Sequence, residues 1–136
     1  MTKKVDLNRY ANFVDGVTSN PSKDYKSFLD AIKYLDGEGS NIHRLLTAAV
    51  GISAEGGEFM EIVKKMVFQG KPWNDDNRKH LTIELGDVMW YVMQACMALE
   101  IPLDEVIAGN VEKLKKRYPG GEFNVYQSEN RAEGDL

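Results

Sequence analysis

The sequence predicts an all-α protein, and three observations support that fold class. Apolar residues recur at spacings of three and four over several long stretches, as on one face of a helix. No run of any length alternates with the two-residue period of a strand. No repeat or linker divides the chain. We therefore expect one domain over 1–136, with N-terminal helices over 7–35, a core over about 42–119 and a tail over 120–136.

Five helices are predicted in chain order, and they cover about 7–18, 20–35, 42–68, 74–99 and 103–118. The second is expected to have Asn20 as its N-cap and Pro21 at its first position. The segment after the fifth helix is polar. We expect it to be a tail whose only apolar anchors are Phe123, Val125 and Tyr126.

The composition is that of an ordinary globular protein, with 43% apolar and 28% charged residues. The net charge of −4 argues against a nucleic-acid polymer as partner. A single cysteine, Cys96, excludes an internal disulfide framework and fits a reducing compartment. The first residues lack the apolar core of a signal peptide, and the most apolar run, 88–99, is too short to cross a bilayer. These features predict a cytoplasmic protein without a membrane partner.

The apolar run at 88–99 also bears on assembly. Its residues, VMWYVMQACMAL, are apolar almost all around the helix rather than along one stripe. A helix of this kind is buried on two sides. In so small a chain a second subunit is expected to cover the second side, so the sequence predicts a homo-oligomer.

Four acidic residues occupy helix faces that are otherwise apolar. Glu55 and Glu58 form one pair, and Glu84 and Asp87 form another. A spacing of three places both members of a pair on one side of a helix. Unpaired carboxylates are costly to bury, so these acids require either shared protons or a bound cation. A divalent metal is the simpler answer, and an all-oxygen ligand set suits Mg²⁺.

Other metals fit the sequence less well. A di-iron bundle would need Glu-x-x-His elements, which His43 and His80 do not supply, and both histidines are expected at the surface. The Asn74-to-Asn77 run lacks the spacing and terminal glutamate of a calcium loop. The acids could also fix the register of a non-catalytic helical oligomer.

Two glycines, Gly56 and Gly57, lie inside the third predicted helix. Each costs roughly 0.5–1 kcal/mol relative to alanine. They are either a tolerated weakness or a place where a neighbouring helix or ligand approaches closely.

The fifth predicted helix carries Asn110, Lys113 and Arg117 on or near its inner face. Cations and an amide near a metal site would suit a polyphosphate. Basic residues at a helix C-terminus also complement the helix dipole, and this second explanation is preferred for Lys115 and Lys116.

Two aromatic residues are candidates for contact with a nucleotide base. Trp73 and Tyr91 could stack on or flank a base, although only Tyr91 shares the face of the acids.

At these residues the sequence resembles the MazG-like all-α nucleoside triphosphate pyrophosphohydrolases. The resemblance covers about 44–122 and includes GISAEGGEFMEIVKK, IELGDVMWYV and NVEKLKKRYPGG. The family's acid pattern is Glu-x-x-Glu followed by Glu-x-x-Asp. Each of these motifs alone has low specificity, whereas their order and spacing together are quite specific to the family. The two ends of the chain look like those of short phage-borne members.

The resemblance implies a helical bundle whose four-helix core is completed by dimerisation, sometimes as a homotetramer. It implies Mg²⁺-dependent hydrolysis of (deoxy)nucleoside triphosphates to monophosphate and pyrophosphate, with Mn²⁺ as a possible substitute, in control or cleansing of the nucleotide pool. The metal ligands would be Glu55, Glu58, Glu84 and Asp87, and Glu55 and Glu58 are the candidates for activating water. Related enzymes that act on phosphoribosyl-ATP or dUTP share this kind of fold, and the sequence leaves base and sugar preference open.

Overall fold

The structure is a computed structural model that describes residues 2–135. Over this part of the chain it is 74% helical and has no strand, so the all-α prediction is confirmed. The helices are α1 (Leu7–Gly16), α2 (Asn20–Lys23), α3 (Tyr25–Gly37), α4 (Ile42–Phe68), α5 (Asp75–Leu99), α6 (Leu103–Arg117) and α7 (Val125–Glu129). None of the helices in the described range is long and apolar enough to cross a bilayer. The chain divides into two compact units, with the boundary between residues 42 and 43.

Within the first unit, residues 20–37 form two helices, α2 and α3, where the sequence predicted one. The helix expected over 20–35 breaks at Asp24, whose backbone is extended. The Asp24 carboxylate accepts hydrogen bonds from the Ser27 backbone N–H at 2.9 Å and from its hydroxyl at 2.7 Å. These bonds lower the pKa of Asp24. The prediction was wrong because Asp24 caps a new helix, a role in which aspartate competes well with helix continuation.

The second unit contains the long helices α4, α5 and α6, whose bounds agree with the predicted ones to within a residue or so. Asn74 caps α5 by accepting a hydrogen bond from the Asn77 backbone N–H at 2.9 Å. The helix ends at Glu100, which adopts the left-handed conformation with φ 54°. Pro102 then precedes α6.

Small residues mark the buried part of the second unit. Its buried apolar residues within the described range are Ala48, Ile62, Cys96 and Ala98. By contrast, large apolar side chains on α5 are exposed, among them Met93, Met97 and Leu99. The helix is therefore apolar almost all round, as predicted, and one side of it is not covered by its own chain.

The segment after α6 is more ordered than the predicted tail. Asn124 caps α7 by accepting from the Gln127 backbone N–H at 3.0 Å. The three expected apolar anchors, Phe123, Val125 and Tyr126, are all exposed, although Phe123 contacts the ring of Tyr118. Among the residues of this segment that the structure describes, the buried one is instead Asp135.

Candidate functional site

Three of the four predicted acids come together between α4 and α5. Glu55 of α4 and Glu84 and Asp87 of α5 each offer a carboxylate oxygen, and these oxygens lie within 4.8 Å of one another. Glu55 and Glu84 are half-buried, whereas Asp87 is exposed. We refer to Glu55, Glu84 and Asp87 as the acid cluster. Its members come from two helices separated by a loop, so the helix pairing determines the site.

A glycine allows α4 to approach α5 at the acid cluster. Gly51 lies one helical turn before Glu55, and Tyr91 lies one turn after Asp87. A Cβ atom at Gly51 would lie only 2.0–2.3 Å from ring atoms of Tyr91. The ring therefore occupies the space that any other side chain would need. A Cβ at Gly56 or Gly57 would have no atom of another residue nearby, so close helix approach within the chain occurs at Gly51 and not at the predicted pair.

The acid cluster is electrostatically costly in the isolated chain. Partial burial raises the pKa of Glu55, and the negative charges of Asp87 and Glu84 raise it further. The nearby charge of Glu58 adds a smaller effect in the same direction. Like charges held this close disfavour full ionisation, and a cation among them removes that penalty.

The fourth predicted acid, Glu58, lies at the edge of this arrangement. Its side chain is exposed, and it is not one of the three residues whose oxygens converge. It follows Glu55 by one helical turn, which explains why its charge still affects the pKa of Glu55.

A histidine contacts the acid cluster, although the sequence analysis assigned it no role there. His80 Nε2 lies 3.0 Å from Glu84 Oε1, one helical turn away on α5. His80 is exposed, as predicted, while the Glu84 side chain is only 13% exposed. The spacing of four between His80 and Glu84 is the signal that could have identified this pair.

A cleft of about 350 Å³ opens beside the acid cluster and is lined by Glu55, Asp87, Trp90 and Tyr91. The rings of Trp90 and Tyr91 meet edge to face with centroids 4.9 Å apart. Tyr91 thus lies where the sequence placed it. Trp73, the other predicted aromatic residue, is 70% exposed in the loop before α5 and does not line the cleft. Trp90 was missed because its position three residues after Asp87 was attributed to the apolar helix face.

The predicted phosphate-binding residues lie on α6. Asn110, Lys113 and Arg117 follow one another at spacings of three and four, which places them on one side of the helix. None of the three lines the cleft at the acid cluster. Arg117 Nε lies 2.6 Å from Asp135 Oδ2, and Lys113 Nζ lies 3.6 Å from Asp135 Oδ1. An acidic residue of the chain itself therefore pairs with both cations.

The acid cluster has the chemistry of a site for a hard divalent cation. Three carboxylates offer only oxygen ligands, which Mg²⁺ and Mn²⁺ prefer, and Mg²⁺ commonly keeps waters and substrate phosphates at its other positions. Partial burial and then the charges of Asp87 and Glu84 raise the pKa of Glu55, and a bound cation would oppose both effects. These residues fit the divalent metal that the sequence predicts.

Comparison with known proteins identifies the family of the second unit's sequence. The sequence model of the MazG nucleotide pyrophosphohydrolase domain matches residues 44–121, a range that contains the acid cluster, the cleft and the cations of α6. The Gene 37 protein of Mycobacterium phage L5 is 37% identical over 87 residues, which is 62% of this chain and 75% of that protein. No solved structure matches the chain significantly.

Proposed function

The chain belongs to the MazG nucleotide pyrophosphohydrolase family, and from this premise we propose that it hydrolyses (deoxy)nucleoside triphosphates to the monophosphate and pyrophosphate with Mg²⁺. The observation that carries the proposal is the convergence of Glu55, Glu84 and Asp87 between two helices. The cleft lined by Trp90 and Tyr91 supplies an aromatic wall beside those acids, suited to a nucleotide base. Its expected physiological role is to control or cleanse the nucleotide pool.

In this proposal the acid cluster holds the metal. Bound there, Mg²⁺ would neutralise phosphate oxygens and orient the substrate for in-line attack by water. The chain's own residues fix the geometry: α4 and α5 are held together at Gly51, and His80 orients the Glu84 carboxylate through its 3.0 Å contact.

Glu58 is our candidate for orienting or deprotonating the attacking water. It is exposed and lies one turn from Glu55, so water can reach it, yet it is outside the acid cluster. The variant Glu58→Gln tests this assignment. We expect loss of turnover while Mg²⁺-dependent thermal stabilisation is retained. If both are lost, Glu58 belongs to the metal ligands instead.

Lys113 and Arg117 are proposed to bind phosphate oxygens, and Asn110 to position the nucleotide. A guanidinium can grip two phosphate oxygens at once, and an ammonium provides a point charge. Since these residues do not line the cleft at the acid cluster, they would contact phosphate groups that extend beyond that cleft, or act from another subunit.

We also propose that the protein is a homodimer or homotetramer. The exposed apolar side chains of α5 support association, because a partner subunit would cover them. Sedimentation velocity over a range of protein concentrations tests this, and a monomer at micromolar concentration would contradict it.

The decisive experiment for the activity is product analysis with a panel of ribo- and deoxynucleoside triphosphates, each with Mg²⁺ and with EDTA. Mg²⁺-dependent release of pyrophosphate and monophosphate would support the proposal and rank the substrates. Release of orthophosphate with diphosphate would mean that a different bond is cleaved. The variant Asp87→Asn should lose most of the activity while remaining folded, and Glu61→Gln is a matched control, because Glu61 pairs with Lys64 and Lys65 on another face of α4.

A further inference from the structure

Asp135 is the buried acidic residue of the segment that follows α7. Its carboxylate accepts two hydrogen bonds from Arg117, from Nε at 2.6 Å and from a terminal nitrogen at 2.8 Å. Lys113 Nζ lies 3.6 Å from the same carboxylate. The Asp135 side chain is only 1% exposed and that of Arg117 is 14% exposed. A carboxylate is thus enclosed by the two cations that are proposed to bind phosphate.

The electrostatics of this group are those of a fully formed ion pair. The hydrogen bonds from Arg117 lower the pKa of Asp135, and the charges of Arg117, Lys113 and Arg131 lower it further. The same carboxylate raises the pKa of Arg117. Asp135 therefore carries a negative charge at neutral pH.

The geometry of the contact is also the geometry of phosphate binding. Arg117 presents two N–H groups side by side to two oxygens of one anion, an arrangement that carboxylate and phosphate oxygens share. A cleft of about 320 Å³ adjoins the pair, and its charged lining residues are Glu112, Lys113, Lys116 and Asp135. Release of Asp135 would leave two lysines and one glutamate facing this cleft, a net positive lining.

Besides this ion pair, the described part of the segment makes a ring contact between Phe123 and Tyr118, next to the end of α6. The apolar side chains of Phe123, Val125 and Tyr126 are nevertheless exposed, and residues 129–134 are exposed as well. Among the described residues, the buried contact between this segment and α6 is thus the charged one at Asp135. A contact of that kind opens when a more highly charged anion competes for the same cations, whereas a contact based on buried apolar area would not respond.

We propose that Asp135 acts as an autoinhibitory latch, occupying the phosphate-binding cations Lys113 and Arg117 until a polyphosphate displaces it. The proposal rests on the proposed function, because it assumes that these cations bind the substrate's phosphates. Its consequence is that only the opened form binds tightly. The apparent dissociation constant then equals the intrinsic constant divided by the opened fraction.

The test measures binding of inorganic tripolyphosphate by calorimetry, with EDTA present so that metal-mediated binding does not contribute. The variant Asp135→Asn keeps the size of the side chain and removes its charge. If the latch is closed in about nine molecules of ten, this variant should bind about tenfold more tightly than the wild type. Glu133→Gln is the matched control, since it removes the same charge from an exposed residue of the same segment, and its affinity should match the wild type.

Each alternative outcome contradicts the latch. Equal affinity in Asp135→Asn and wild type would show that Asp135 does not compete with phosphate. Weaker binding by Asp135→Asn would mean that the segment forms part of the binding surface. An equal gain in affinity in Glu133→Gln would show that the change in net charge alone explains the effect. Absence of tripolyphosphate binding in all variants, Asp135→Ala included, would show that this cation pair does not bind polyphosphate.

The proposed latch and the proposed activity can be refuted by separate results. Calorimetry reports binding without turnover, so tighter binding by Asp135→Asn supports the latch even if no nucleotide is hydrolysed. Conversely, hydrolysis by the wild type with an unchanged KM in Asp135→Asn would support the activity and refute the latch. If both hold, the variant should show a KM lower by about tenfold and an unchanged kcat.

Discussion

The contact between Gly51 and Tyr91 makes the pairing of α4 and α5 open to a direct test. A Cβ atom at Gly51 would lie 2.0, 2.2 and 2.3 Å from the Cδ1, Cε1 and Cγ atoms of the ring. Carbon atoms in favourable contact are about 3.5–4.0 Å apart, so the ring would have to retreat by about 1.5 Å. Rotation about χ2 does not move Cγ, which means that the ring or the helix itself must shift.

The expected magnitude follows from two opposing effects. Alanine in place of glycine within a helix stabilises it by roughly 0.5–1 kcal/mol. Overpacking of a close contact costs about 1–3 kcal/mol. Gly57→Ala provides the matched control, because it gains the same helix propensity on the same helix and its Cβ meets no other residue. Gly51→Ala should therefore be less stable than Gly57→Ala by about 1–3 kcal/mol.

The assay is urea unfolding followed by far-UV circular dichroism, at one protein concentration because association would add to the apparent stability. In a Tyr91→Ala background the difference between the two alanine variants should vanish, since the clash partner is gone. Equal stability of Gly51→Ala and Gly57→Ala, or a difference that persists without the Tyr91 ring, would refute the argument. Turnover by Gly51→Ala should also fall, because the displaced ring lines the cleft at the acid cluster.

Three further predictions concern the site itself. Glu84→Gln should abolish the rise in melting temperature that Mg²⁺ gives the wild type, whereas Glu61→Gln should retain it in the same thermal-shift titration. The pKa of Glu55 is raised from its ordinary value of 4.5. Between pH 4.5 and this raised pKa, the folded state therefore holds a proton that the unfolded chain has lost. Stability of the metal-free protein should thus fall as pH rises through that pKa, and Glu55→Gln should lack this slope in urea titrations with EDTA. Trp90→Ala should raise KM by about tenfold if the ring stacks on the base, and Trp73→Ala should leave KM unchanged; the reverse pattern would favour the sequence-based choice of Trp73.

The helices were predictable where hydrophobic period and capping residues agreed. The helices predicted to begin near 74 and 103 begin there in the structure, directly after Asn74 and Pro102. The prediction failed at Asp24, where a side chain that accepts hydrogen bonds from Ser27 ends one helix pattern and starts another. The apolar positions of the predicted helix all lie in α3, and the sequence of α2, NPSK, is too short and too polar to show a period of its own, so the break left no signal in the pattern. The short helix α7 was missed because five residues are too few to show a period.

The acid cluster was predictable in part, since a spacing of three on an apolar face singles out Glu55, Glu58, Glu84 and Asp87 in the sequence, and all of these except Glu58 converge in the structure. Which acids converge depends on the rotation of α4 against α5, and helix spacing within one chain segment carries no information on that rotation. The role of Gly51 was hidden for the same reason. A glycine in a helix suggests that another group needs the space of its side chain. The identity of that group, the Tyr91 ring, is visible only once α4 and α5 are paired.

The two charged groups of the second unit differ in how their charge is balanced. In the acid cluster, partial burial and the mutual repulsion of the carboxylates together raise the pKa of Glu55. On α6 the cations Lys113 and Arg117 are balanced by Asp135. A metal-bound polyphosphate would supply what each group needs, a cation for the acids and an anion for the cations. Nucleotide binding should therefore be coupled to metal, because a substrate whose metal is shared with the acid cluster should displace Asp135 more readily than a metal-free polyphosphate does. We accordingly expect Glu84→Gln to weaken nucleotide binding in Mg²⁺ yet to leave tripolyphosphate binding in EDTA unchanged, and a loss of both would show that the two groups do not act separately.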